Sequence, residues 1–189
     1  MSVKKLQENL VNENYLERTQ RNQFFIGGPE GQERIRNLTV GVAGLGGMGS
    51  NIAEYLARLG VENLHLADAD TIDVSNINRQ VIANFNSVGT RKLDASVAEI
   101  KRIAPEANLK PFKEGITAEN VYDFVEGCDF IVDEIDVFPI EAHHILHKAC
   151  RERGIPIYSA YVIGLGVHFY KFEGDQFTFE DFLSINEED

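Results

Sequence analysis

The chain has 189 residues, 43% of them hydrophobic and 25% charged, enough for one well-buried domain and too few for two comfortable ones. A formal net charge of -12 disfavours nonspecific binding to DNA or anionic membrane, yet screening over about 8 Å at physiological salt lets a few local cations build a polyphosphate pocket. No apolar run approaches the roughly 18 residues of a membrane span, the start MSVKKLQENLVNENYLERTQ has no secretory h-region, and Cys128 and Cys150 form no CxxC pair, so a cytoplasmic protein without a disulfide framework or structural zinc is expected.

Lys4 to Glu17 places Leu6, Leu10 and Leu16 at loosely helical spacing, a helix that must dock on something larger because it would not hold alone. GGPEG reads as a turn, and Gln32 to Asn37 as a short helix leading into the first strand. Val40, Val42, Ala43 and Leu45 make the apolar run of a parallel strand covered on both faces, and Gly44, Gly46 and Gly49 follow it with GxGxxG spacing. The first glycine permits the tight turn, the second lets phosphate approach the backbone, and the third lets helix and strand lie close. Helix Ser50 to Leu59 then aims its free N–H groups and positive dipole end at an anion. A second strand ends in Asp68 and Asp70, with Asp68 about 20 residues past the turn, where a carboxylate can hold a ribose hydroxyl. This unit leaves open which nucleotide is bound, since a nicotinamide cofactor and an adenine triphosphate can use the same cradle.

Beyond it, Ala95 to Pro105 has helical spacing, Asn108 to Pro111 reads as a strand, and Thr117 to Glu126 as a helix capped by Thr117. Cys128 to Asp136 is a buried strand ending in carboxylates, Ile140 to Arg153 a helix, and Ile155 to Val162 and Gly166 to Phe172 two further strands. Strands alternating with helices predict a Rossmann-like α/β fold, an open and mostly parallel sheet with helices on both faces. Ligands of such sheets bind beyond the carboxyl ends of the strands, where Asp68, Asp70 and Asp136 gather. The expected organisation is an N-terminal helical, dimerising segment over 1–37, the nucleotide-binding domain over 38–172, and over 173–189 an acidic tail or a shortened C-terminal region.

After Asp70 come Asn76, Arg79 and Gln80 in an N-x-x-R-Q loop, then Gly89 and Lys92 in a G-x-x-K. GxGxxG, a strand ending DxD, N-x-x-R-Q and G-x-x-K in this order resemble the ubiquitin-activating-like adenylyltransferases, the ThiF/MoeB/HesA superfamily, over about Arg18 to Phe172. The resemblance implies ATP and Mg2+, with activation of a carboxylate, the C-terminus of a ubiquitin-like or sulfur-carrier protein, as an acyl-adenylate. Joining a carboxylate to the α-phosphate expels pyrophosphate and needs cations where charge builds. Arg79 would supply a planar fork and Lys92 a point charge, while Asn76 and Gln80 would hold neighbouring phosphate or loop groups. Asp136 corresponds to the aspartate that binds magnesium, a hard oxygen ligand of the right kind. Here Val137 and Glu141 replace the asparagine and arginine of the family's D-N-x-x-x-R, and Asp133 and Glu134 compete as carboxylates. The family also sends an N-terminal arginine across a dimer interface to its partner's phosphates. RTQRNQ offers Arg18 and Arg21, of which Arg21 is expected in that role, in a two-fold homodimer.

Cys128 and Cys150 read as packing residues, so no thioester nucleophile is expected. His143 and His147, one helical turn apart and followed by Cys150 on the same face, could bind metal, but a packed histidine pair is the expectation in the absence of a nearby carboxylate. Three further readings compete with modifier activation. A dehydratase of the tRNA threonylcarbamoyladenosine type would use the same ATP chemistry, although no basic stripe is present. A non-catalytic partner of a complete activator would account for Val137 and Glu141. An NAD-dependent oxidoreductase would leave Arg79, Gln80 and Lys92 without a purpose.

Overall fold

The computed structural model describes residues 13–136, 138 and 140–184. The nucleus of the fold is a six-stranded sheet in the order β3-β2-β1-β4-β5-β6. The strands are β1 (Thr39–Ala43), β2 (Asn63–Ala67), β3 (Asn108–Phe112), β4 (Phe130–Asp133), β5 (Ile157–Ile163) and β6 (Gly166–Phe172). β1 to β5 run parallel, and β6 returns antiparallel along β5. The chain is therefore a Rossmann-like α/β protein with β1 central, and its topological switch point lies between β1 and β4, where the order turns from β2 on one side to β4 on the other.

Val40, Val42, Leu64, Leu66 and Ile131 are fully buried because each sheet face is covered. One face packs against α4 (Gly49–Leu59) and α5 (Lys92–Ile103), through Ala53, Ala57, Leu93 and Ile100. The other packs against α6 (Val121–Val125) and α7 (Ile140–Arg153), through Phe124, Leu146 and Cys150. Phe112 and Phe124 meet edge to face with centroids 5.2 Å apart, the arrangement that ring quadrupoles favour.

Several boundaries differ from expectation, each for a local reason. Within the expected N-terminal helix, residues 13–19 are helical (α1); Leu6 and Leu10 lie outside the described residues, and Leu16 is exposed. The anchor is instead Tyr15, wholly buried, which donates to the Gly60 carbonyl and accepts from Gln32. The GGPEG stretch is less a turn than a junction. Gly27, at φ 87°, ends α2 (Gln23–Ile26), and α3 (Gly28–Asn37) starts at once with Pro29 in its first turn. α5 begins at Lys92, three residues before the expected start, since the Lys92 N–H bonds the Asp70 carbonyl and fixes the chain there. α6 begins at Val121, without a Thr117 cap, because Asn120 turns back to bond the Thr117 N–H and the Gly115 carbonyl. β4 stops at Asp133, which puts Asp136 in an arch beyond the strand. Within the stretch read as an acidic tail or a shortened C-terminal region, Thr178 caps a further helix, α8 (Phe179–Leu183), whose Phe179 is buried among Phe172 and His147.

Candidate active site

At the carboxyl ends of β1, β2 and β4 the strands open into a cleft of about 630 Å³. Gly44, Gly46, Asp68, Asp70, Lys92 and Asp136 all line it. An adjoining cavity of about 480 Å³ shares Gly46 and Asp136 and adds Arg79, Tyr161 and Phe179 to its walls. Motifs spread over more than ninety positions of the chain thus converge on one rim, as expected at a switch point.

The glycine loop is shaped by close backbone approach. Gly44 takes φ 86°, and a side chain there would overlap the Glu134 carbonyl; one on Gly49 would overlap the Gly44 carbonyl, so only glycine lets α4 sit this near the loop. A side chain on Gly46 would meet little besides Gln80 Nε2 at 4.0 Å, which leaves that backbone open to the cleft. Ser50 Oγ donates to the Gly46 carbonyl and Asn51 Nδ2 to the Gly47 carbonyl, both at 2.6 Å, tying the loop to the first turn of α4.

Asp68 is nearly buried, and its oxygens already accept the N–H groups of Leu45 at 2.6 Å and Asp70 at 2.8 Å. Burial raises its pKa, only partly offset by those two bonds. Its first task is therefore to hold the glycine loop against the end of β2. Lys92, 6% exposed at the first position of α5, extends Nζ to Asp70 Oδ2 at 2.7 Å, which fixes the ammonium on the cleft wall. Arg79 is exposed, rests its aliphatic stem against Gly47, and donates to the Ser75 carbonyl and to Asn78. Asn76 is occupied in the loop itself, accepting the Asp73 N–H to close a capping box around the 3-10 turn Val74–Asn76. Gln80 is buried behind Gly46 with its Oε1 unpaired.

Of the N-terminal arginines, Arg18 caps the end of α4 through the Ala57 and Arg58 carbonyls and pairs with Glu106. Arg21 is exposed and lines a separate pocket with Phe24, so one chain does not bring it to the cleft.

The three carboxylates at and just beyond the end of β4 have three different fates. Asp133 is wholly buried and bonded by both His143 Nδ1, at 2.7 Å, and His147 Nε2, at 2.9 Å. Burial alone would raise it, but those two hydrogen bonds outweigh burial and hold it at about 2. Glu134 is pushed up to about 8 by burial and by the Asp133 charge, so it is mostly protonated near neutral pH. Asp136 is exposed on the cleft wall. Of the three, it is the exposed one on the cleft wall, and a hard oxygen ligand there fits a magnesium ion. Val137 lies outside the described residues, and Glu141 is exposed in the first turn of α7.

The histidine pair expected to pack without a carboxylate has one, because β4 delivers Asp133 against α7. Asp133, His143 and His147 offer ligand atoms within 4.8 Å of one another. Their separations of 2.7 and 2.9 Å are those of N–H···O bonds. The available sequence signal was a strand-terminal aspartate followed by histidines at helical spacing, and it lacked the packing that joins them. Cys128 and Cys150 are buried and free, and burial pushes the Cys128 thiol up to about 12, which makes it inert as a nucleophile. Among the described residues, no helix is long and apolar enough to cross a membrane.

Comparison with known proteins follows the same lines. The ThiF family model matches residues 18–189. The SAMP-activating enzyme E1 of Haloferax volcanii is 36% identical over 151 residues, covering 80% of this chain and 53% of that protein. The tRNA threonylcarbamoyladenosine dehydratase of Bacillus subtilis is 41% identical over 143 residues, covering 74% and 54%. The solved E. coli tRNA N6-threonylcarbamoyladenosine dehydratase in complex with ATP superposes with a TM-score of 0.69 at 29% identity, covering 76% of this chain and 58% of that one. The chain thus spans about half the length of the relatives it matches. With its glycine loop, its cleft at the switch point and a family match over nearly the whole chain, this protein belongs to the ThiF family.

Proposed function

We propose that the protein is an ATP- and magnesium-dependent adenylyltransferase that activates a carboxylate, the C-terminus of a ubiquitin-like or sulfur-carrier protein, as an acyl-adenylate. The observation that carries this reading is the convergence of Gly46, Lys92 and Asp136 on one cleft, with Arg79 on the wall of the adjoining cavity that shares Gly46 and Asp136. The acceptor carboxylate attacks the α-phosphorus of ATP, the bond to the β-phosphate breaks, and pyrophosphate leaves with the electron pair. The open backbone at Gly46 and the N-terminus of α4 suit the phosphates. Lys92, held by Asp70, and Arg79 suit the charge that builds on the leaving oxygens. Asp136 would hold magnesium, which when bound neutralises phosphate charge. Asp68 and Asp70, at the end of β2, suit the ribose.

A second reading keeps this chemistry and changes the acceptor to the carboxylate of a threonylcarbamoyl-modified tRNA adenosine. It is supported by the 41% identity to the Bacillus subtilis dehydratase. Magnesium-dependent exchange of labelled pyrophosphate into ATP, with carrier proteins and modified tRNA added separately, tests both. Exchange stimulated by a carrier protein supports the first reading and exchange stimulated by tRNA the second. Absence of exchange with every acceptor, while ATP still binds, would favour a non-catalytic partner. Tighter binding of NAD than of ATP in calorimetry would overturn adenylyl transfer altogether.

A further inference from the structure

The arch after β4 presents Asp136 to the cleft, and outside any strand it needs something to hold it. Asp133 supplies part of the restraint, since its Oδ1 accepts the Ile135 N–H at 3.2 Å. His143 supplies the rest. Its Nδ1 lies 2.7 Å from Asp133 Oδ2, and its Nε2 lies 3.2 Å from the backbone carbonyl oxygen of Asp136. A carboxylate and a carbonyl have no hydrogen to give, so both ring nitrogens must donate. One buried ring therefore spans from the last residue of β4 to the residue facing the cleft. The ring plane is itself locked, because Phe179 of α8 stacks on it with centroids 4.9 Å apart and planes 20° apart. His147 is the natural contrast. It bonds the same Asp133 oxygen and touches the same Phe179, but its hydrogen bond goes to Asp133 and does not reach the arch.

We propose that His143 is a positioning residue for the metal-binding step: bridging Asp133 and the Asp136 carbonyl, it holds the Asp136 carboxylate where a divalent cation on the triphosphate meets it. The proposal rests on the reading of Asp136 as the metal ligand. Groups that orient a ligand from behind typically change metal affinity by about 10- to 100-fold when removed. A ring that only filled the core would instead affect stability, and His147 would do the same.

The test is the affinity of the protein–ATP complex for Mn2+, read by electron paramagnetic resonance of the free ion, with thermal melting measured beside it. His143→Gln is expected to weaken Mn2+ binding by about tenfold or more. His147→Gln, which also costs Asp133 a hydrogen bond, is expected to lower the melting temperature and leave Mn2+ affinity unchanged. Equal losses in both variants, or none in His143→Gln, would overturn the proposal. Should His143→Gln not fold, the double variant Asp133→Asn/His143→Gln removes the stranded carboxylate and is read in the same way. The functional reading is separable. If the wild type binds Mn2+ with ATP but shows no pyrophosphate exchange, adenylyl transfer fails while the His143 comparison still decides this proposal. If Asp136→Asn leaves Mn2+ affinity intact, the proposal falls even where exchange persists.

Discussion

Lys92 shows how a side chain that would ordinarily be solvated becomes a fixed charge. Its backbone N–H and its ammonium both bond Asp70, so the ammonium stays on the cleft wall at little entropic cost when a ligand arrives. Lys92→Ala is expected to slow pyrophosphate exchange by roughly 100-fold or more, the usual loss for one preorganised donor at a developing charge. Stability should change little, because the Asp70 carboxylate left behind is 63% exposed. A rate equal to wild type would place Lys92 outside the chemistry. Asp133 makes a different prediction. Its folded-state pKa of about 2 lies below the ordinary carboxylate value, so the stabilisation it contributes is present above about pH 4 and is lost as pH falls toward 2. The shift amounts to about 2 kcal/mol. Stability measured by urea unfolding between pH 4.5 and 2 should therefore fall more steeply in the wild type than in Asp133→Asn. Parallel curves would contradict the assignment.

At the scale of elements, the glycine loop, α4 and the arch after β4 behave as one unit. Gly49 lies against the Gly44 carbonyl, and Gly44 against the Glu134 carbonyl, so helix, loop and arch are stacked backbone on backbone. Gly49→Ala inserts a methyl where the neighbour is backbone and cannot swing away. Overpacking of this kind costs about 1–3 kcal/mol, and relief by lifting α4 would pull its N-terminus from the phosphate position. Calorimetry should show weakened ATP binding along with a lowered melting temperature. Ala at 49 with unchanged ATP affinity would mean that the close approach serves packing alone.

For the whole molecule, the open question is whether one chain makes a complete site. Arg18 is committed to the end of α4, whereas Arg21 projects from the linker between α1 and α2, beside Phe24 and Phe25, which are 84% and 92% exposed. Exposed apolar rings beside a cation are what an interface would cover, and two-fold homodimers are the commonest assembly. Each Arg21 is then expected to serve the partner's phosphates. An Arg21→Ala protein mixed with a Lys92→Ala protein should regain part of the lost activity, since mixed dimers contain one site with both defects and one with neither. No recovery after verified subunit exchange would exclude an arginine supplied in trans.

What the sequence determined by itself was the glycine-loop unit and the fold class, because both are written in short-range patterns. GxGxxG behind an apolar run, the strand-terminal Asp68 and Asp70, and helices of crossover length between strands are constraints that neighbouring residues impose on one another. Only the tertiary structure decided what the polar groups of the second half do. Asp133, His143 and His147 are separated by 10 and 14 positions along the chain, and no periodicity announces that β4 and α7 will press them together. The same packing left Asp136 exposed in the cleft, Glu134 half-buried and Asp133 wholly buried, although all three stand in one apolar-acidic stretch. Local spacing sets which elements form; desolvation and hydrogen bonding set which carboxylate keeps its charge, and those act only once the elements have packed.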